Sequence, residues 1–174
     1  MDTLQADRAA IEAQIRAAFA GVKLGKGISL RQAQAIDHPD EDITDSEFEA
    51  VPGAEITDSW SDVPFGELER DCIAHLDDAG LRYYLPALML SLLSNYDPGS
   101  MRVIGTIAAL YPKSTGFPTR SYEYLTDDQH SAVACFLNAL PSMVTLDSED
   151  SKCVARALRN YWGKFSAPLP QSRL

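Results

Sequence analysis

Apolar residues recur at Ile11, Ile15, Ala18, Phe19 and Val22, with charged residues on the intervening positions. That spacing predicts an amphipathic helix over RAAIEAQIRAAFAGV, ended by Gly21, Gly25 and Gly27. Ser29 and Gln32 stand at capping-box spacing, so SLRQAQAI reads as a short second helix. The apolar rhythm then stops until Trp60, and Pro39, Pro52 and Gly53 punctuate the gap. This stretch is expected to be mostly loop, with a turn of helix around residues 46–50. In SDVPFGELERDCIAHL, Asp62 suits an N-cap and Pro64 the first turn. Leu68, Cys72 and Leu76 would then line one face of a single helix.

Downstream, proline in GLRYYLPALMLSLLSNY predicts a break near Leu85 and a buried helix from Pro86 to about Tyr96. DPG at 97–99 is a turn, and SMRVIGTIAALY is a core helix ending before Pro112. KSTGFPTRSYEY reads as loop, and RSYEYL is the one stretch with the makings of a short strand. A second capping box, Thr126 with Gln129, opens a helix whose Val133, Phe136, Leu137 and Leu140 face inward. The last helix has acids in its first turn and Arg156, Arg159 and Lys164 toward its end, with Gly163 as the stop. The expected fold is all-α, an irregular bundle of about six or seven helices with one long acidic loop. Residues 1–165 are expected to form one helical domain and residues 166–174 a disordered tail.

Composition changes this picture mainly through charge. The 174 residues carry 25 acids and 15 bases, a net −10. From Gln32 to Glu69 there are 12 acids and no Lys or Arg, and the other 136 residues carry 13 acids and 15 bases. The excess negative charge is therefore local, and its densest part, DHPDEDITDSEFE at 37–49, holds seven acids. A chain so charged should avoid phosphate backbones, so no nucleic-acid partner is expected. Three cysteines, Cys72, Cys135 and Cys153, make a poor disulfide framework and suit a reducing compartment. The polar, acidic N-terminus lacks a signal pattern, and the longest apolar run, Leu85 to Leu93, is too short to span a bilayer. A cytoplasmic protein with no membrane partner is the expectation.

Familiar chemistries fail on spacing. GVKLGKG at 21–27 sets its glycines too close for a phosphate-binding loop and follows a helix where a strand is needed. A calcium loop begun at Asp40 would put Asp45 where glycine makes the turn and Val51 where a bidentate Glu belongs. Cys72 with His75, and Cys135 with His130, offer four nominal zinc ligands. The second pair, five apart on a helix, points in different directions. Arg156 near Cys153 would somewhat activate that thiol, but no local motif supports a nucleophile. The carboxylates of the acidic stretch, if solvated, would keep ordinary pKa values. No cofactor, metal or catalytic residue is expected. Tyr83, Tyr84, Tyr161, Trp162 and Phe165 read as core rings.

The segments IEAQIRAAFAGVKL and SLRQAQAID, then Trp60 leading to LRYYLPALML and YLTDDQHSAVACFLNAL, resemble a small bacterial domain family of unknown function. The resemblance spans roughly residues 10–140 and leaves out the C-terminal helix. It implies a bacterial, soluble, single-domain protein and assigns no functional residue.

The function expected on these grounds is non-catalytic binding, specifically that of a bacterial immunity protein that blocks a basic cognate toxin domain. Asp37, Asp40, Glu41, Asp42, Asp45, Glu47 and Glu49 would supply the attracting field, and Phe48 or Trp60 the apolar anchor. One rival is an enzyme or small-molecule binder with a pocket formed by Tyr83, Tyr84, His75 and Arg82. The other is a regulatory or scaffold subunit whose acidic loop is simply solvated.

Overall fold

Most stretches with a helical apolar period are helical, and the described residues contain no strand. The structure, a computed structural model, describes residues 3–37, 57–70, 72–112 and 121–166. Seven α-helices lie in these: α1 (Thr3–Ala18), α2 (Leu30–Ile36), α3 (Phe65–Leu68), α4 (Asp78–Ser94), α5 (Met101–Ala109), α6 (Asp127–Met143) and α7 (Ser148–Asn160). Three short 3-10 turns, Trp60–Asp62, Ile73–His75 and Trp162–Phe165, complete the order. The predicted acidic loop from 38 to 56, its turn of helix, and the tail beyond 166 lie outside the described residues.

Helix α4 is the hub. Twelve of its 17 residues are buried on every side, which is what a helix apolar all round requires. Helices α1, α5 and α6 pack against it, as do α3 and the Trp60–Asp62 turn, and α6 in turn packs broadly on α1. Trp162 of the last turn is wholly buried and donates its indole N–H to the Leu110 carbonyl (2.7 Å), closing the far end of the core.

Both capping boxes form. Ser29 with Gln32 starts α2 and Thr126 with Gln129 starts α6, each side chain meeting the other residue's backbone N–H. The run of glycines after α1 makes the expected stop, with Gly21 at φ +73° and Gly25 at φ +62°.

Four expectations are corrected. Pro86 does not start a helix but sits inside α4. The missing hydrogen bond and ring clash cost about 3 kcal/mol. Burying Leu85, Leu88, Met89, Leu92 and Leu93, all at most 1% exposed, outweighs this at roughly 1.5–3 kcal/mol each. The single helix expected over residues 62–76 is instead three short pieces. Leu68, Cys72 and Leu76 are all buried as the pattern required, but Cys72 has φ −151° and ψ 11°, outside the helical region. Its thiol donates to the Leu30 carbonyl, and Glu67, Glu69 and Arg70 just before it make ion pairs, so tertiary contacts override local helix preference. Within RSYEYL, residues 121–125 form a turn, with Tyr122 at φ +57°, and Gly163 lies within the 3-10 turn beyond Asn160.

Candidate functional site

Of the residues expected to meet a partner, Asp37 and Trp60 are described. Asp40, Glu41, Asp42, Asp45, Glu47, Phe48 and Glu49 lie outside the described residues. Asp37 caps the C-terminal end of α2, and its half-exposed carboxylate accepts the Nε2–H of His75 at 2.8 Å. Trp60 is 4% exposed, and its indole N–H donates to the Phe19 carbonyl at 2.8 Å. It is thus a core residue that pins the chain to the end of α1, and its place as a partner-facing anchor is corrected. The acids around it made Trp60 a candidate anchor in the sequence; its indole N–H found its partner across 41 residues of chain.

The two ends of the acidic stretch are therefore held. Asp37 is tied to His75. At the other end the Thr57 carbonyl accepts the Tyr83 hydroxyl at 2.9 Å, and Lys23 donates to the Asp58 carbonyl. Between Asp37 and Thr57 run 19 residues with seven acids and no Lys or Arg.

The structure also divides the acids. Glu67 accepts from Arg31 Nη2 at 2.9 Å and from Arg70 Nε at 2.6 Å. Those two guanidinium hydrogen bonds, Arg31 first, pull its carboxyl from the ordinary 4.5 down to about 2. Glu69 accepts from Arg102 Nε at 2.7 Å; this arginine is 1% exposed, bonds Ser91 and the Asn95 carbonyl, and lies under the half-exposed Phe65 ring. The last two acids of the 32–69 segment are thus neutralised by the protein's own arginines. From Asp37 to Asp62 there remain ten acids with no Lys or Arg, against 15 acids and 15 bases elsewhere, so the whole net charge of −10 belongs to these 26 residues.

The rival pocket does not assemble where it was expected. Tyr83 and Tyr84 are wholly buried and packed edge to face, 4.8 Å between centroids. Arg82 donates to Gln129 of α6 and His75 to Asp37 at the end of α2, so the two are committed to different partners. Two hollows are seen elsewhere. One, of about 490 Å³, lies between Leu4, Pro141, Met143, Val144 and Ser151, with no ionisable side chain in its lining. The other, of about 160 Å³, lies beside Trp60, Phe65 and Leu90, below the usual volume of a small-molecule site. Among the described residues no group of three or more His, Cys, Asp or Glu is placed to hold a metal.

The Cys153 thiol is pushed up by burial, then by Glu149 and Asp150, and Arg156 does not compensate, so the activation anticipated from that arginine is reversed. At the junction of α4 and α7, the Tyr96 hydroxyl donates to Asp150 at 2.7 Å and accepts the Asp147 N–H at 2.9 Å. Burial raises Tyr96 to about 12 and also raises Asp150. The pairing spans 54 residues and no sequence motif announces it.

A second cluster that the sequence left divided joins α6 to the C-terminal turn. His130 stacks on Phe165 at 4.2 Å and meets Tyr161, while Tyr161 and Trp162 pack on Tyr122. The aromatic residues were legible as core; their convergence on one histidine was not.

No curated protein and no solved structure matches the chain. A family model does, over residues 7–166, a span that takes in α7 and the Trp162–Phe165 turn, so the C-terminal helix is part of the shared unit and not an addition to it. No described helix is long and apolar enough to cross a membrane. By that match, the chain belongs to the family of unknown function DUF6714.

Proposed function

We propose that this protein is a non-catalytic binding protein, of the immunity type, that neutralises a basic toxin domain by covering its active-site surface. The observation that carries the reading is the location of charge. Ten acids with no Lys or Arg between Asp37 and Asp62 hold all of the net charge, on a stretch whose two ends are fastened to the protein body. A concentrated field of one sign raises the encounter rate with an opposite surface and selects against partners of like charge. Fastened ends limit the entropy lost when such a stretch is immobilised on a partner. The cytoplasmic, bacterial setting of this reading follows from the cysteine usage and the sequence resemblance.

The test begins with the protein encoded beside this chain's gene and with what co-purifies from the native cell. With that basic protein in hand, replacing Asp40, Glu41, Asp42 and Asp45 by their amides should slow association by one to two orders of magnitude at low salt, on the order seen for steered pairs, and flatten its salt dependence. An association rate constant indifferent to all four substitutions would sink the reading.

A further inference from the structure

His130, 6% exposed in the first turn of α6, has both ring nitrogens engaged. Nδ1 lies 3.0 Å from the Thr126 carbonyl, which also accepts the His130 backbone N–H at 2.9 Å. A carbonyl oxygen only accepts, so Nδ1 carries a proton in either charge state of the ring. On the other side Nε2 lies 3.1 Å from the Tyr161 hydroxyl oxygen, and that oxygen lies 2.9 Å from the Ser121 carbonyl. A tyrosine has one proton. With a neutral imidazole two acceptors, Nε2 and the Ser121 carbonyl, compete for it. With an imidazolium the conflict disappears: His130 donates to Thr126 and to Tyr161, and Tyr161 donates to Ser121.

We infer that His130, Tyr161 and Ser121 form a proton-operated latch between the C-terminal turn and the segment entering α6, closed when His130 is charged. When the ring is neutral, Tyr161 turns its proton to Nε2 and the exposed Ser121 carbonyl passes to water, which keeps opening cheap and reversible. The segment being held is under tension. Tyr122, next to Ser121, sits at φ +57°, anchored by its wholly buried ring and its hydroxyl on the Ala109 carbonyl at 2.6 Å. The latch holds the same turn through the Ser121 carbonyl, with the Tyr161 ring packed on Tyr122.

The charged and titratable groups near the ring come from each element that meets there. Lys164 lies 4.3 Å over Tyr161 and 4.8 Å over Phe165. Glu123, in the latched segment, acts on Tyr161, and Asp127 stands three residues before His130 on the same helix. Tyr161 itself stays neutral, its hydroxyl pushed up by burial and by Glu123.

Carbon and nitrogen NMR of the intact protein tests this between about pH 5 and 8, where histidine exchanges its proton. The neutral ring should be protonated at Nδ1, and the Ser121 carbonyl shift should move in step with His130's titration. Exchange of the Leu125 amide, bonded to Tyr122 within the latched turn, should speed roughly five- to tenfold as the ring loses its charge, after correction for intrinsic rate. In Tyr161→Phe, which keeps the ring packing, His130 should still titrate while Ser121 stays flat. A Ser121 carbonyl that ignores His130's charge in the wild type, a His130 that does not titrate in this range, or a neutral ring protonated at Nε2 would each overturn the latch. Should Tyr161→Phe fail to fold, the wild-type carbonyl titration alone decides.

Discussion

At the scale of single residues, the acids of this protein fall into two kinds that the sequence writes alike. Glu67 and Glu69 follow the acidic stretch directly, yet each is held by arginines of the same chain. Glu67's carboxyl is depressed to about 2 in the folded protein. A depressed carboxylate stabilises the fold above its unfolded pKa, near 4.3, and that stability is lost as pH falls toward the folded value. Glu67→Gln should therefore lower unfolding free energy by about 2 kcal/mol at pH 7 and flatten the loss of stability between roughly pH 4.5 and 2. Urea midpoints measured across that range check both the size and the sign. Glu69→Ala has a different consequence, since it leaves the buried Arg102 guanidinium without its counter-charge. A loss of about 2–3 kcal/mol is expected, with Glu69→Gln recovering part of it by restoring an acceptor. If the alanine variant were as stable as wild type, the buried arginine would owe nothing to Glu69.

At the scale of elements, short-range signals held where the partner of each group lies within a few residues. Both capping boxes are of this kind: the groups that complete them are three residues apart, and no tertiary contact is needed. The 62–76 region fails for the opposite reason. Its apolar spacing was right and its residues are buried, but ion pairs to Arg31 and Arg102 and the thiol contact to Leu30 come from distant sequence. The close approach of α4 to the turn before α2 is another such contact. A Cβ on Gly80 would lie 2.3 Å from the Ile28 carbonyl oxygen, and Asp77 bonds both the Gly80 and the Ile28 N–H. Alanine is the better helix former by about 1 kcal/mol, but displacing a backbone carbonyl costs more. Gly80→Ala is expected to destabilise by a net 2 kcal/mol or so on these grounds. Gly66, in α3, has nothing within 4 Å of the same position, so Gly66→Ala should be neutral or stabilising by up to about 1 kcal/mol. Thermal melts of the two variants side by side separate crowding from propensity; equal shifts would refute the contact at Gly80.

At the scale of the whole molecule, charge and packing separate. Ten acids between Asp37 and Asp62 carry the net −10 while the rest of the chain is balanced, so the field of this protein is a property of one stretch. The four-amide variant used to probe association should melt within a degree or two of wild type, or slightly higher at low salt as self-repulsion falls. A drop of many degrees would mean that these acids support the fold itself, and a slowed association would then need another explanation.

Sequence alone determined the helical class, the two capped helix starts, the inward faces of α1 and α6, and the confinement of charge to one stretch. Each depends on neighbours within a turn or two, or on a simple count. Membership of the family was also readable, since it rests on the order of residues along 7–166. Tertiary structure decided the rest: the continuation of α4 through Pro86, the breaking of 62–76, the burial of Trp60, the pairing of Glu67 and Glu69, and the meeting of His130 with Tyr161. Those outcomes depend on groups tens of residues apart, brought together by burial of a common core. There the free energy of a shared contact outweighs what each segment prefers by itself.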